Sequence, residues 1–184
     1  MKKVVISVLG QDRPGIIAKV SKALFKKGYN IENVSQTILQ SEFSGIFIAS
    51  IPLEITIEQL NDFLQNEIQP LDLHVYAKYL EESKEPVNVL KNAPFVITTK
   101  GPDRKGLVAS ITEIIARHGV NVTNLKAVFK GGDDPDKNIM IYEVDIPESA
   151  DQKNLENELR KKAGELGLQI SIQHRKIFEA INRI

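Results

Sequence analysis

Gly10-Gln11-Asp12-Arg13-Pro14-Gly15-Ile16-Ile17-Ala18 and Gly101-Pro102-Asp103-Arg104-Lys105-Gly106-Leu107-Val108-Ala109 are two copies of one short pattern, 91 positions apart. Each is followed at the same distance by a second shared element, Gly28-Tyr29-Asn30-Ile31-Glu32-Asn33 and Gly119-Val120-Asn121-Val122-Thr123-Asn124. A repeat of this period makes each copy one folding unit. The shared parts are rich in Gly, Asp and Asn. Such loops carry function more often than core strands do, so the same residues are where a ligand is to be sought.

Around the first loop, Val4 to Leu9 is rich in β-branched residues and reads as a strand. Ile16, Ile17, Val20 and Leu24 then fall on one helical face, with Lys19, Lys22 and Lys26 on the other, and Gly28 ends the helix. Asn30 to Leu39 and Gly45 to Ile51 follow as strands, closed by Pro52. Thr56 and Gln59 have capping-box spacing before a helix with Leu60, Phe63, Leu64 and Ile68 inward. Leu73, Val75 and Ala77 alternate in a last strand. The order is β-α-β-β-α-β.

The second half repeats it. Phe95 to Thr99 is the strand, Leu107, Val108, Ile111, Ile114 and Ile115 the helix face, and Gly119 the stop. Val120 to Phe129 and Ile139 to Ile146 are strands, closed by Pro147 where the first copy has Pro52. Here the offset between copies grows from 91 to 95, so a longer hairpin tip lies in Lys130 to Asn138. Ser149 and Gln152 again have capping-box spacing before Leu155, Leu159, Ala163 and Leu166, and Leu168, Ile170 and Ile172 alternate. Ile177, Phe178, Ile181 and Ile184 form a final apolar helical stripe that needs a surface to dock on.

This order predicts an α+β fold of two ferredoxin-like units, each a four-stranded antiparallel sheet with both helices on one face. The expected division is 1–80, a polar linker at 81–93, 94–176, and a tail at 177–184. The first and third strands are nearly continuous apolar runs, so the open face of the sheet needs covering, with the second copy as the nearest candidate.

Composition narrows the functions. Lys+Arg and Asp+Glu are both 24, and aromatics are 6% of residues, which argues against nucleic acid held on an open sheet. There is no cysteine, hence no disulfide, thiol nucleophile or cysteine zinc site, and no apolar run long enough to span a membrane. A cytoplasmic protein without cofactor or metal is expected. His74, His118 and His174 occupy unrelated repeat positions, and Asp133, Asp134 and Asp136 lack an EF-hand's spacing. No catalytic residue emerges.

The loops have a plain structural reading. Asp12 and Asp103 suit helix N-caps, Pro14 suits the first helical turn, and Gly15 permits close approach. That accounts for neither the glycine before each turn nor Asn30 and Asn121. The first two strands are expected to meet at this end, setting the loop across a small space from the start of strand two. Helix N–H groups would then hold a carboxylate, and an Asp or Asn an ammonium group. Lys105 in place of Pro14 reads first as a surface lysine, with a group that favours a carboxylate there as the alternative.

The doubled loop Gly-x-Asp-Arg-x-Gly-(Ile/Leu)-(Ile/Val)-Ala, with Gly-x-Asn-(Ile/Val) opening strand two, resembles the ACT domain. Tandem ACT chains of this length without an enzyme domain resemble the glycine cleavage system transcriptional repressor family; Ser35-Gln36-Thr37 and the tail from Gln173 resemble small stand-alone ACT proteins. The resemblance implies a non-enzymatic regulator that binds a small effector, usually an amino acid, at an interface between ACT domains. Serine-binding members use a loop Asn and the Asn opening strand two, positions that fall here on Asp12 and Asn30, Asp103 and Asn121. The site is expected at Gly10, Gln11, Asp12, Arg13, Pro14, Gly15, Asn30 and Ile31, and at Gly101, Asp103, Arg104, Gly106, Asn121 and Val122. A homo-oligomer, most simply a dimer, with a regulated protein partner is expected. The alternative is an interaction module that takes no small ligand.

Overall fold

In both halves, apolar side chains alternate along the strands and recur every three or four residues along the helices, and the two patterns close on each other. The computed structural model describes residues 1–81, 92–128 and 138–182. The linker expected at 81–93, the hairpin tip and Ile184 lie wholly or mainly outside them. The chain divides into two compact units, Met1–Lys84 and Glu85–Ile184. In the first, β1 (Lys2–Gln11), α1 (Ile16–Lys26), β2 (Asn30–Leu39), β3 (Glu42–Ile51), α2 (Ile57–Ile68) and β4 (His74–Tyr79) follow in order. The second runs β5 (Ala93–Gly101), α3 (Leu107–Arg117), β6 (Asn121–Val128), β7 (Asn138–Ile146), α4 (Gln152–Glu165), β8 (Gln169–His174) and α5 (Arg175–Asn182). The sheets are antiparallel, in the orders β2-β3-β1-β4 and β6-β7-β5-β8.

Val4, Ile6 and Val8 of β1 and Phe43, Phe47 and Ala49 of β3 are buried with Ile16, Val20 and Leu24 of α1 and Leu60, Leu64 and Ile68 of α2. Burying one such large side chain contributes roughly 1.5–3 kcal/mol, well above an exposed ion pair. The second core puts Thr99, Asn138 and Tyr142 at the repeat positions of Val8, Phe43 and Phe47. Thr99 is fully buried, and its hydroxyl has no partner among the described residues. The Tyr142 hydroxyl donates to Met140 Sδ at 3.3 Å, and burial pushes its pKa up to about 12.

The cap at Thr56 forms as expected: Gln59 N–H donates to Thr56 Oγ1 and Thr56 N–H to Gln59 Oε1. Three other expectations are corrected. Asp12 and Asp103 do not cap α1 and α3: the cap residues are Gly15 at φ 97° and Gly106 at φ 86°, and no side chain caps either helix. Pro14 therefore precedes the cap instead of entering the first turn. The α4 cap is Asp151, which accepts from Asn154 N–H at 3.0 Å, in place of Ser149. Lastly, β1 and β2 do not meet. Both pair antiparallel with β3, so they run parallel to each other on either side of it.

The open faces differ between the units. On the second sheet, α5 lies over Val96 and Ile141, with Phe178 facing them and Arg175 paired to Glu143 at 3.3 Å and Asp145 at 4.0 Å. Val96 is buried although it points away from the core helices. On the first sheet, Leu9, Ile46 and Tyr76 are exposed. No helix of the described residues is long and apolar enough to cross a membrane.

Candidate functional site

Each loop leaves its strand through a glycine with no room for a side chain. A Cβ on Gly10 would lie 2.7 Å from Leu73 Cδ2 and 3.2 Å from the Asp72 carbonyl oxygen. On Gly101 it would lie 2.8 Å from Leu168 Cδ2 and 2.9 Å from the Gly167 carbonyl oxygen. The doubled glycine is thus a packing requirement of the strand end against the entry to the last strand. The second glycine, Gly15 or Gly106, has nothing within 4 Å, and its left-handed φ is what the position demands.

Asp12 is exposed, and its N–H donates to the Ser41 carbonyl at 2.7 Å, tying the loop to the β2–β3 turn. The N–H groups of the first turn of α1 have no partner within the helix, as at any helix start, and no side chain caps them. Those residues line a cleft of about 460 Å³. Asp12, Arg13, Gly15 and Ile16 to Ala18 form one part of it, Gln36 of β2 and Phe43 of β3 the rest. The second copy has a cleft of the same volume, about 460 Å³, formed by Asp103, Arg104 and Gly106 to Ala109. An exposed carboxylate, a guanidinium and an uncapped helix start thus recur together. They are complementary to the ammonium and carboxylate of a zwitterion.

Asn30 and Asn121 are elsewhere. Asn30 pairs with Ser50, which is level with Lys3, whereas Gln11 and Leu39 both pair with Glu42 at the far end. The eight residues from Lys3 to Gln11 along β1 put Asn30 about 26 Å from the loop of its own domain. Asn121, level with Asp145, stands likewise at the opposite end from Gly101. Of the expected residues, the first cleft gathers Asp12, Arg13 and Gly15 and the second gathers Asp103, Arg104 and Gly106. Gly10, Gln11, Pro14 and Gly101 flank the clefts without lining them, and Ile31 and Val122 sit beside their distant Asn neighbours.

Both Asn positions open an edge strand and precede a β-bulge, between Ile31 and Asn33 and between Val122 and Asn124. At the first bulge Glu32 turns to the open face. It accepts from Ser50 Oγ and pairs with Lys3 Nζ at 2.6 Å. Those hydrogen bonds, Lys3's first, hold its carboxyl below the usual range. Gln36 and Phe43 are the lining residues the motif did not flag. The signal lay in the repeat, as positions where the copies differ beside a loop they share. Among the described residues, no group of three or more His, Asp or Glu could hold a metal ion.

A model of the ACT domain matches residues 2–78 and again residues 93–173. Over 85 residues the chain is 38% identical to a UPF0237 protein of Pyrobaculum aerophilum, covering 46% of this chain and 94% of that protein. Over 90 residues it is 34% identical to a UPF0237 protein of Methanococcus maripaludis, covering 48% and 96%. Among solved structures, an unknown protein from Galdieria sulphuraria aligns with a TM-score of 0.76 at 20% identity, over 94% of this chain and 98% of that one. A candidate glycine cleavage system transcriptional repressor aligns with a TM-score of 0.68 at 21% identity, over 94% and 96%. At such identities the likeness is one of fold.

Proposed function

The chain belongs to the ACT-domain family, in two tandem copies, and from that premise we propose a non-enzymatic regulatory protein that binds an amino acid at its Asp-Arg loops. The carrying observation is the recurrence of one arrangement. In both copies an uncapped helix start, an aspartate and an arginine border a cleft of about 460 Å³. The helix N–H groups and the arginine suit the ligand's carboxylate, and the aspartate suits its ammonium group.

The Asn residues enter this reading through a second ACT domain. β2 is an edge strand, and antiparallel pairing with another domain's β2 would lay the start of one strand beside the end of the other. Asn30 of one domain would then approach the loop end of the next, and ligand would bridge the two. Binding would favour the paired arrangement by its differential affinity for it, and a protein partner acting on metabolism or transcription would read the shift.

A thermal-shift panel of the twenty amino acids on the full chain tests this. A native-state ligand raises the melting temperature; Asp12→Ala with Asp103→Ala removes the shift, and Asn30→Ala with Asn121→Ala weakens it. A flat panel defeats the proposal. It would instead favour a module that docks a protein on the exposed Leu9, Ile46 and Tyr76 of the first sheet. A shift untouched by the Asp pair puts the ligand elsewhere, and one untouched by the Asn pair removes the bridging arrangement.

A further inference from the structure

The two clefts share a loop but not a far wall. In the sheet register Gln36 pairs with Gly45 where Ala127 pairs with Met140, and Phe43 pairs with Gly10 where Asn138 pairs with Gly101. Ala127 and Asn138 thus hold the repeat positions of Gln36 and Phe43. Gln36 and Phe43 line the first cleft, whereas among the described residues the second is lined by its loop and helix start.

The first wall depends on a particular neighbour. A Cβ on Gly45 would lie 2.7 Å from Phe43 Cζ and 2.9 Å from its Cε1, so glycine leaves room for the ring there. The second copy has Met140 at that position. Phe43 is itself buried, which fixes an apolar surface beside the loop. Gln36 is exposed, and its amide has no hydrogen-bond partner among the described residues, so both its N–H donors and its oxygen are available to a ligand.

We propose that Gln36, backed by Phe43, makes the first cleft selective for an amino acid with a short side chain ending in a carboxamide or hydroxyl, and that the second cleft, with Ala127 at that position, lacks this reader. This rests on the reading of the loops as amino-acid sites. The loop groups meet the backbone ammonium and carboxylate, alike for every amino acid. Discrimination has to come from a group that meets the side chain. A primary amide donates and accepts at once, matching a carboxamide or hydroxyl and leaving an aliphatic chain of the same shape without that hydrogen bond. A single hydrogen bond of this kind corresponds to roughly three- to tenfold in affinity.

The probes are L-asparagine and the near-isosteric L-leucine, titrated calorimetrically into the full chain. With the second cleft silenced by Asp103→Ala, L-asparagine binds roughly three- to tenfold tighter than L-leucine. Adding Gln36→Met, which keeps the length and removes the amide, brings the two affinities together. With the first cleft silenced by Asp12→Ala, the two ligands bind alike until Ala127→Gln restores a preference for L-asparagine. Gln36 is exposed, so the Met variant keeps its fold, which circular dichroism verifies. If the preference survives Gln36→Met, or L-leucine binds the first cleft as well as L-asparagine, the selector is refuted while the ligand sites stand. If neither amino acid binds wild type, the selector is refuted, and the panel of twenty amino acids decides separately whether the loop sites stand.

Discussion

Thr99→Val exchanges a buried hydroxyl for a methyl group of the same shape, at the position the first domain fills with Val8. Thr99 is fully buried and its Oγ1 has no partner among the described residues. A buried, unpaired hydroxyl costs roughly 1–3 kcal/mol by mutational measures. Both residues are β-branched, so strand propensity scarcely changes, and no cavity opens. The second domain is expected to gain about 1–2 kcal/mol. Hydrogen exchange of the slowest β5 and β7 amides reads this domain separately, and about 1.4 kcal/mol slows exchange tenfold. Amides of β1 and β3 should keep their rates, because the mutation lies outside their core. Val8→Thr runs the experiment in reverse, and the first domain should lose a similar amount. An unchanged or faster exchange in Thr99→Val would mean that the hydroxyl is satisfied after all and that the accounting is wrong.

Two further outcomes follow from packing and titration. Tyr142 keeps its proton to about pH 12 in the folded domain, while the unfolded chain releases it near 10. Between those values the unfolded state binds fewer protons, so stability falls as pH rises, by up to roughly 3 kcal/mol, and is unaffected below pH 10. Tyr142→Phe, which copies Phe47, should flatten that part of the second domain's alkaline urea-unfolding profile; an unaltered slope would assign the loss to other groups. Gly10→Ala forces a Cβ to within 2.7 Å of Leu73 and should destabilise the first domain by about 1–3 kcal/mol in urea unfolding. A variant with wild-type stability would remove the packing explanation for the doubled glycine.

Much of the architecture was legible because it rests on local rules. Period-two strands, helical faces and the Thr56–Gln59 box each carry their own signal, and the repeat doubles every signal. The Asp-as-cap reading failed because Asp12 and Gly15 both suit a helix start, and spacing does not say which residue turns the chain. The structure resolves it with a left-handed glycine, which sets the helix start at Ile16 and leaves the aspartate exposed. Asn30 was misplaced for a different reason. A helix returns the chain along the sheet before β2 begins, so β1 and β2 start at the same end, and closeness in sequence does not become closeness in space. In the sequence Gln36 stands out only as part of the Ser35-Gln36-Thr37 resemblance and Phe43 not at all, because neither belongs to the loop motif and the hairpin's register is what brings them to it.

The helix laid across the second sheet also sets an order of events during synthesis. The first domain can close its core as soon as β4 has been made, since among the described residues no later element of its own covers that sheet. The second cannot finish at β8: Val96 and Ile141 stay wet, and Glu143 and Asp145 lack their guanidinium, until α5 emerges. A second domain made only to β8 is therefore at a stage that presents an apolar, doubly acidic face, when every element of the first domain has already been synthesised. That interval is when a chaperone would have most to hold, and a message cut short before Arg175 would make the stage permanent.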